Sequence, residues 1–393
     1  MRLSCLLQGH LLAGWLVLAL SGGDTGAAES DYARWTHGPP GDPAFFPIAV
    51  WLQPPAKAER YKAAGINTYV ALWRGPTEEQ LAVLKKAEMK LICHQNRTAL
   101  DHVEDATIIG WMHGDEPDNA QSLGEGKGYG PPVLPEKIVQ DYARLRASEP
   151  SRPVLLNLGQ GVAWDNWYGR GVRSRHPEDY PEYIKGCDIV SFDIYPVVHE
   201  HPEVSGKLER VAYGVKRLVD WAKGEKVVWN CIECTRIGHP TAKATPAQVK
   251  AEVWMSLVHG SKGLIYFVHE WKPKFNESAL LDDSEMLAAV TDINHQIATL
   301  APVLNSPDAR GAVEVRSSDA SVPVAVLSKR QGEALYVFAV AMRDAETAAA
   351  FKLTLADKPR TVEVLGENRT LAVVDGGFSD HFRGWGVHLY RLK

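Results

Sequence analysis

Two glutamates stand at the ends of apolar runs. Residues 107–112 read Thr-Ile-Ile-Gly-Trp-Met and lead straight into His113, Gly114, Asp115 and Glu116. Residues 226–232 read Lys-Val-Val-Trp-Asn-Cys-Ile and lead into Glu233. A carboxylate beside apolar walls costs free energy unless it is paired or its pKa moves. Two such groups facing each other can divide labour on a glycosidic bond. One stays protonated to give the leaving oxygen a proton, and the other stays ionised to attack the anomeric carbon or activate water. A separation of about 5 Å goes with retention of configuration, and roughly 6.5–9.5 Å with inversion. Asp118 has a different prospect, as a cap of the loop that follows. Pro117 fits a chain leaving its strand sharply.

The elements that position these residues follow from hydrophobic patterning. Eight short apolar runs, rich in β-branched residues, recur at 46–51, 66–73, 90–94, 107–112, 153–157, 188–193, 226–232 and 263–268. Stretches of helical period separate most of them, at 56–64, 77–88, 135–148, 207–222 and 246–260, with 282–300 after the last. Nearly continuous apolar strands imply cover on both faces. Eight strand–helix units over roughly 250 residues predict an α/β fold, a (β/α)8 TIM barrel. The rival, a doubly wound open sheet, would carry a Gly-rich phosphate turn after an early strand, and none is present. After about residue 305 the pattern changes to short alternating runs at 312–315, 323–327, 334–340, 350–355, 361–365 and 386–392, which predict a small all-β sandwich. The expected organisation is a leader at 1–28, a barrel at 29–304 and a C-terminal β-sandwich at 305–393.

A barrel carries its active site at the C-terminal ends of its strands. Those ends form one ring: Trp51, then Trp73 with Arg74, then His94, then Asp115 with Glu116. Asn157 follows, then Asp193 with Tyr195, then Glu233, then His269 with Trp271. Strands four and seven lie about three positions apart around the ring, so Glu116 and Glu233 are expected to face each other across the mouth. Trp51, Trp73, Trp111 and Trp271 stand near strand ends, where indoles stack on sugar faces. Trp229 and Trp254 read as core. Trp164 and Trp167 fall in a long insertion, 159–183, expected over the cleft. A second insertion, 119–135, reads as a Gly/Pro-rich flap.

This arrangement resembles the retaining (β/α)8 glycoside hydrolases of clan A. The resemblance implies that Glu116 is the acid/base and Glu233 the nucleophile of a double displacement. It further implies that Arg74 holds the nucleophile ionised, that Tyr195 hydrogen-bonds it, that His94 lines a subsite and that Trp271 floors the cleavage subsite. A trailing β-sandwich also occurs in the clan. One position departs from the pattern: Asp115 stands where the clan usually has Asn. An aspartate there accepts from a sugar hydroxyl and raises the pKa of the adjacent acid. The departure keeps a non-catalytic carbohydrate-binding barrel in view. A metal-dependent barrel hydrolase, using His94, His113, Asp115, Glu116, His269 and Glu270, is a further alternative. It lacks a His-x-His pair on the first strand, so no metal and no cofactor is expected.

Bulk properties agree with an extracytoplasmic sugar enzyme. The chain has 393 residues, 45% of them hydrophobic, and a net charge of −5, so there is no basic field for nucleic acid. Twelve tryptophans exceed the needs of a core and suit sugar faces. Arg2, the apolar stretch 11–20 and the small residues that follow read as a secretory signal, too short for a confident span. The expected location is secreted or periplasmic, with a β-linked oligo- or polysaccharide as partner and no membrane contact beyond the signal. The five cysteines fall in apolar runs or the leader and read as buried thiols.

Overall fold

The computed structural model describes residues 30–355 and 359–393. The leader-like segment 1–28 lies outside the described residues. Among those described, no helix is long and apolar enough to cross a membrane.

Eight parallel strands close into a barrel. They are β1 (Ile48–Trp51), β2 (Thr68–Val70), β3 (Lys90–Cys93), β4 (Ile108–Asp115), β5 (Val154–Leu158), β6 (Ile189–Phe192), β7 (Val227–Val228 and Asn230–Glu233) and β8 (Leu264–Phe267). β1 pairs with both β2 and β8. β7 is broken at Trp229: its first half pairs with β6 and its second half with β8. Helices α1 (Ala58–Ala63), α2 (Glu78–Lys86), α3 (Arg97–Asp101), α4 (Pro135–Ser148), α5 (Tyr180–Tyr183), α6 (Glu209–Ala222), α7 (Pro246–Val258), α8 (Ala279–Asp282) and α9 (Ser284–Leu304) complete the units. Local chemistry sets their starts. Thr77 with Gln80 and Thr245 with Gln248 form reciprocal capping boxes on α2 and α7.

The inside of the barrel is an apolar plug in which Ala49, Val70, Ile92, Ile109, Met112, Leu155, Ile189 and Ile265 meet. Its bottom is sealed by Tyr32 and Trp35, with the Tyr32 hydroxyl donating to the Lys262 carbonyl and accepting from Trp229 Nε1, both at 2.8 Å. A second, larger apolar layer packs the helices against the outside of the strands. Trp111 belongs to this outer layer. It is fully buried, donates to Glu149 Oε2 at 2.8 Å and lies under Arg152, so it lines no subsite, contrary to expectation. Trp229 and Trp254 are core residues as expected.

Beyond α9 the chain forms β9 (Val313–Ser317), β10 (Val324–Gln331), β11 (Ala334–Ala341), β12 (Thr347–Leu353), β13 (Thr361–Val364), β14 (Arg369–Ala372), β15 (Gly377–Phe382) and β16 (Val387–Leu392). They make two antiparallel sheets, β9-β12-β15 and β10-β11-β16-β13-β14. Two strands exceed the six expected from alternation. β14 and β15 are polar runs stitched to their neighbours by side chains: Asp380 accepts from Arg369 and from the Tyr390 hydroxyl. The sandwich docks on α7, where Phe338 packs against Trp254 with ring centroids 5.1 Å apart.

Candidate active site

A cavity of about 730 Å³ opens at the C-terminal ends of the strands. Its lining includes Trp51, Trp73, Asp115, Glu116, Asn157, Asp193, Tyr195, His269 and Trp271. Nine residues from the expected ring therefore converge on one space.

The tip of β4 shows how two consecutive acids reach the same cavity. Met112 pairs with Leu155, but Leu156 pairs with Gly114, so His113 is an extra residue in β4. Its side chain turns outward to the Ile138 carbonyl at 2.9 Å. A bulge of this kind shifts the in–out alternation by one position. Asp115 rather than Gly114 is thereby set opposite Asn157, on the inward face. Glu116 then leaves the strand in the left-handed region at φ 44°, its N–H held by the Asn157 carbonyl at 2.9 Å. A non-glycine residue there is strained, and such strain is held in place only by surrounding contacts. Behind the bend, Asp118 is fully buried and accepts from the Gly159 N–H and the Tyr180 hydroxyl, each at 2.9 Å, a structural role. Gly159 packs closely under the bend: a Cβ there would stand 3.0 Å from Glu116 Oε1 and 2.9 Å from Asn119 Oδ1, so a larger residue would displace those side chains.

The acids are wired to one another. Asn157 donates to Asp115 Oδ1 at 2.9 Å and accepts from the Ser191 hydroxyl at 2.7 Å. Asp193 follows β6, which brings its carboxyl beside that of Glu116. Tyr195 stands next to Asp193 in the same lining. Burial, then the neighbouring Asp193 and Asp115 charges, push the Glu116 carboxyl well above the usual carboxylate range. Burial and the Asp115 charge raise Asp193 to about 7, opposed by the neighbouring Glu116 and Tyr195. Asp115 is also raised by desolvation, with Asn157 opposing. Both carboxyls of the pair are thus pushed upward, and they titrate together as one unit.

An aromatic wall stands beside the acids. Trp271 stacks on Phe267 at 5.5 Å and on His269 at 5.7 Å, and Phe275 meets both His269 and Trp271 at 6.2 Å. Trp271 is 48% exposed, so its face is free for a ligand. From the long insertion, Trp167 reaches the lining and is fixed by donating to Asn119 Oδ1 at 2.7 Å. Trp164 instead is buried and donates to Glu203. The 119–135 and 159–183 insertions are tied together, with the Ala120 N–H donating to the Gly169 carbonyl at 2.8 Å.

Three expected site residues lie elsewhere. Glu233 is fully buried and does not line the cavity. The alternation that brings Cys231 inward, 3.6 Å from Asn157 Oδ1, would bring Glu233 inward too. Instead the Val197 and Val198 N–H groups of the loop after β6 capture its carboxylate at 2.7 and 3.2 Å, beside the buried Glu252 carboxyl of α7. It cannot be the nucleophile in this arrangement. Arg74 is exposed at φ 52°, its guanidinium 5.8 Å from the Trp73 ring, and holds no carboxylate of the site. His94 is exposed and off the lining. The hypothetical metal set does not converge either, since His113 faces α4 and Glu270 pairs with Arg236 at 3.6 Å. Among the described residues no group of three or more His, Cys, Asp or Glu side chains could hold a metal ion.

Sequence reasoning missed Gln160, Ile237, Phe275 and Glu277, all in the lining. They lie on rim loops, where no periodicity marks a side chain's direction. The one available signal was the density of aromatic and acidic residues in 270–277.

No protein-family model matches the chain, and no curated protein matches its sequence. Solved structures match its fold. AmyP in complex with maltose superposes with a TM-score of 0.51 at 9% identity, covering 89% of this chain and 96% of that one. An Anoxybacillus α-amylase gives 0.53 at 12%, covering 89% and 98%. A putative α-galactosidase from Bacteroides fragilis gives 0.52 at 10%, covering 89% and 79%. What the chain shares with them at such low identity is the fold, a parallel barrel followed by antiparallel sheets.

Proposed function

We propose that this chain is a glycoside hydrolase in which Glu116 is the acid/base and Asp193, not Glu233, is its partner carboxylate. The observation that carries the reading is the adjacent Glu116 and Asp193 carboxyls in the lining of one aromatic-walled cavity. Glu116 keeps its proton at neutral pH and gives it to the leaving oxygen. Asp193 sheds its share as a sugar enters between the two groups and attacks the anomeric carbon. The configuration of the product decides between a covalent glycosyl-enzyme, which retains it, and direct attack by water, which inverts it. Tyr195 steadies the Asp193 carboxylate, Asp115 meets a sugar hydroxyl, and Trp271 supplies the stacking face. The barrel neighbours that act on or bind maltose-type sugars give the reading a fold-level parallel. The leader-like sequence at 1–28 supports a location outside the cytoplasm for the proposed enzyme.

The β-linkage expected from sequence rests on resemblance, so the test spans both anomers. A panel of α- and β-aryl glycosides is hydrolysed by the wild type, and product configuration is read by proton NMR. Turnover of at least one member, lost in both Glu116→Gln and Asp193→Asn, is the expected result. Turnover that survives Asp193→Asn but disappears in Glu233→Gln would overturn the assignment.

A further inference from the structure

We infer that the cavity selects sugars by charge: a unit bearing a protonated amine binds better than its neutral counterpart, and a unit bearing a carboxylate is turned away. This names a substrate class for the site and rests on the glycoside-hydrolase reading above. Four carboxyl side chains line the space, Asp115, Glu116, Asp193 and Glu277, and no lysine or arginine does. The two arginines that could have balanced them are committed elsewhere, Arg74 over Trp73 and Arg236 with Glu270. The remaining basic side chain in the lining is His269, whose burial pushes it toward the neutral form. In a walled, poorly solvated space such a field is stronger and less screened than on the surface.

A second observation points to a ligand there. His269 is 5% exposed, and its Nδ1 has no hydrogen-bond partner. Asp193 Oδ1 is likewise buried and unpartnered. Buried polar atoms without partners are uncommon, and these two border one cavity. Asp193 Oδ1 can only accept while ionised, which suits an ammonium or hydroxyl donor and repels a carboxylate. The exposed Trp271 face offers a cation–π contact to the same ammonium.

The test uses the full chain and tryptophan fluorescence, with two matched sets of tetrasaccharides, one α-1,4-linked and one β-1,4-linked. Each set has a neutral, a 2-amino and a 6-carboxyl member, and binding is measured at about pH 7.5, above the Asp193 value of about 7, where the carboxylate and a large share of the amine carry charge. In the better-bound set, the carboxyl member is expected to bind about tenfold or more weakly than the neutral one, and the amino member more tightly. Glu277→Gln should narrow the carboxyl-to-neutral ratio, with thermal unfolding confirming an intact fold. Equal or tighter binding of the carboxyl member, or binding of none of the six, overturns the inference. Charge-ordered binding without hydrolysis of any glycoside would instead sink the enzymatic reading and leave this one standing. Hydrolysis without charge ordering does the reverse.

Discussion

Two carboxyl pairs sit on neighbouring sectors of the same barrel, and only one of them meets solvent. Glu116 and Asp193 lie half-buried side by side in the cavity lining. Glu233 and Glu252 lie fully buried behind the wall, between the loop after β6 and helix α7. Both pairs are pushed upward, Glu233 to about 7, and in both the first cause is burial. A raised carboxyl pKa therefore does not by itself mark catalysis. Access does. Glu233 spends its acceptor capacity on two backbone N–H groups of the loop that follows Asp193 and Tyr195, so its work is to hold that loop. Asp193 keeps one oxygen unpartnered beside the cavity.

The comparison breaks most sharply by amide substitution on each side. Glu116→Gln removes a transferable proton while keeping shape, and kcat should fall by about 10²–10⁴-fold, the usual worth of general acid catalysis. Glu233→Gln should leave kcat within about tenfold, since no reacting group touches it. Steady-state kinetics on the best aryl glycoside reads both, and equal losses would erase the distinction.

The sealed pair should show itself in stability instead. A carboxyl whose folded pKa is raised binds more protons folded than unfolded, so its contribution is present at low pH and is lost as pH rises. For Glu233 that window runs from the ordinary value of 4.5 to about 7. Each such proton contributes a slope of about 1.4 kcal/mol per pH unit within the window. Urea unfolding across it should show the Glu233→Gln, Glu252→Gln double variant falling less steeply than wild type. An unchanged slope would mean that the pair is not protonated in the folded protein.

The same two sites show what sequence conveys and where it stops. Eight strands were legible because each is an apolar β-branched run followed by a turn, a pattern covered sheets impose. Asp193, Tyr195 and Trp271 were legible because in-phase residues beyond β6 and β8 keep facing inward. Glu233 was not, although it stands in phase with Cys231. The donors that divert it are backbone groups at Val197 and Val198, identical in every residue type and so invisible in a sequence. The bulge at His113 was equally hidden: it depends on pairing with β5, and without it Gly114 would occupy the inward place of Asp115. Asp193 was read as a binding residue of the rim, and its place beside Glu116 became visible only in the fold.

A smaller effect separates the aromatic wall from the acids. Trp271→Ala leaves the Glu116–Asp193 pair untouched and removes one stacking face, which is worth about 0.5–1.5 kcal/mol. KM should rise by roughly 2–10-fold with kcat nearly unchanged. A matching loss in kcat would mean that the indole acts in the transition state and not simply on bound sugar.

The smallest expected effect is the most pointed. Clan resemblance placed Arg74 against the nucleophile, where its loss would let that carboxylate take up a proton and would shift the pH profile. The structure puts its guanidinium 5.8 Å from the Trp73 ring, exposed, with the acids of the floor unaccompanied by any lysine or arginine. Arg74→Ala should therefore change kcat/KM by less than about twofold, the scale of a surface substitution. It should leave both limbs of the pH profile in place. A displaced limb would show that Arg74 swings inward when sugar binds. The same swing would put a cation beside Asp193 and would weaken the charge selection argued for the cavity, so this one variant bears on both readings at once.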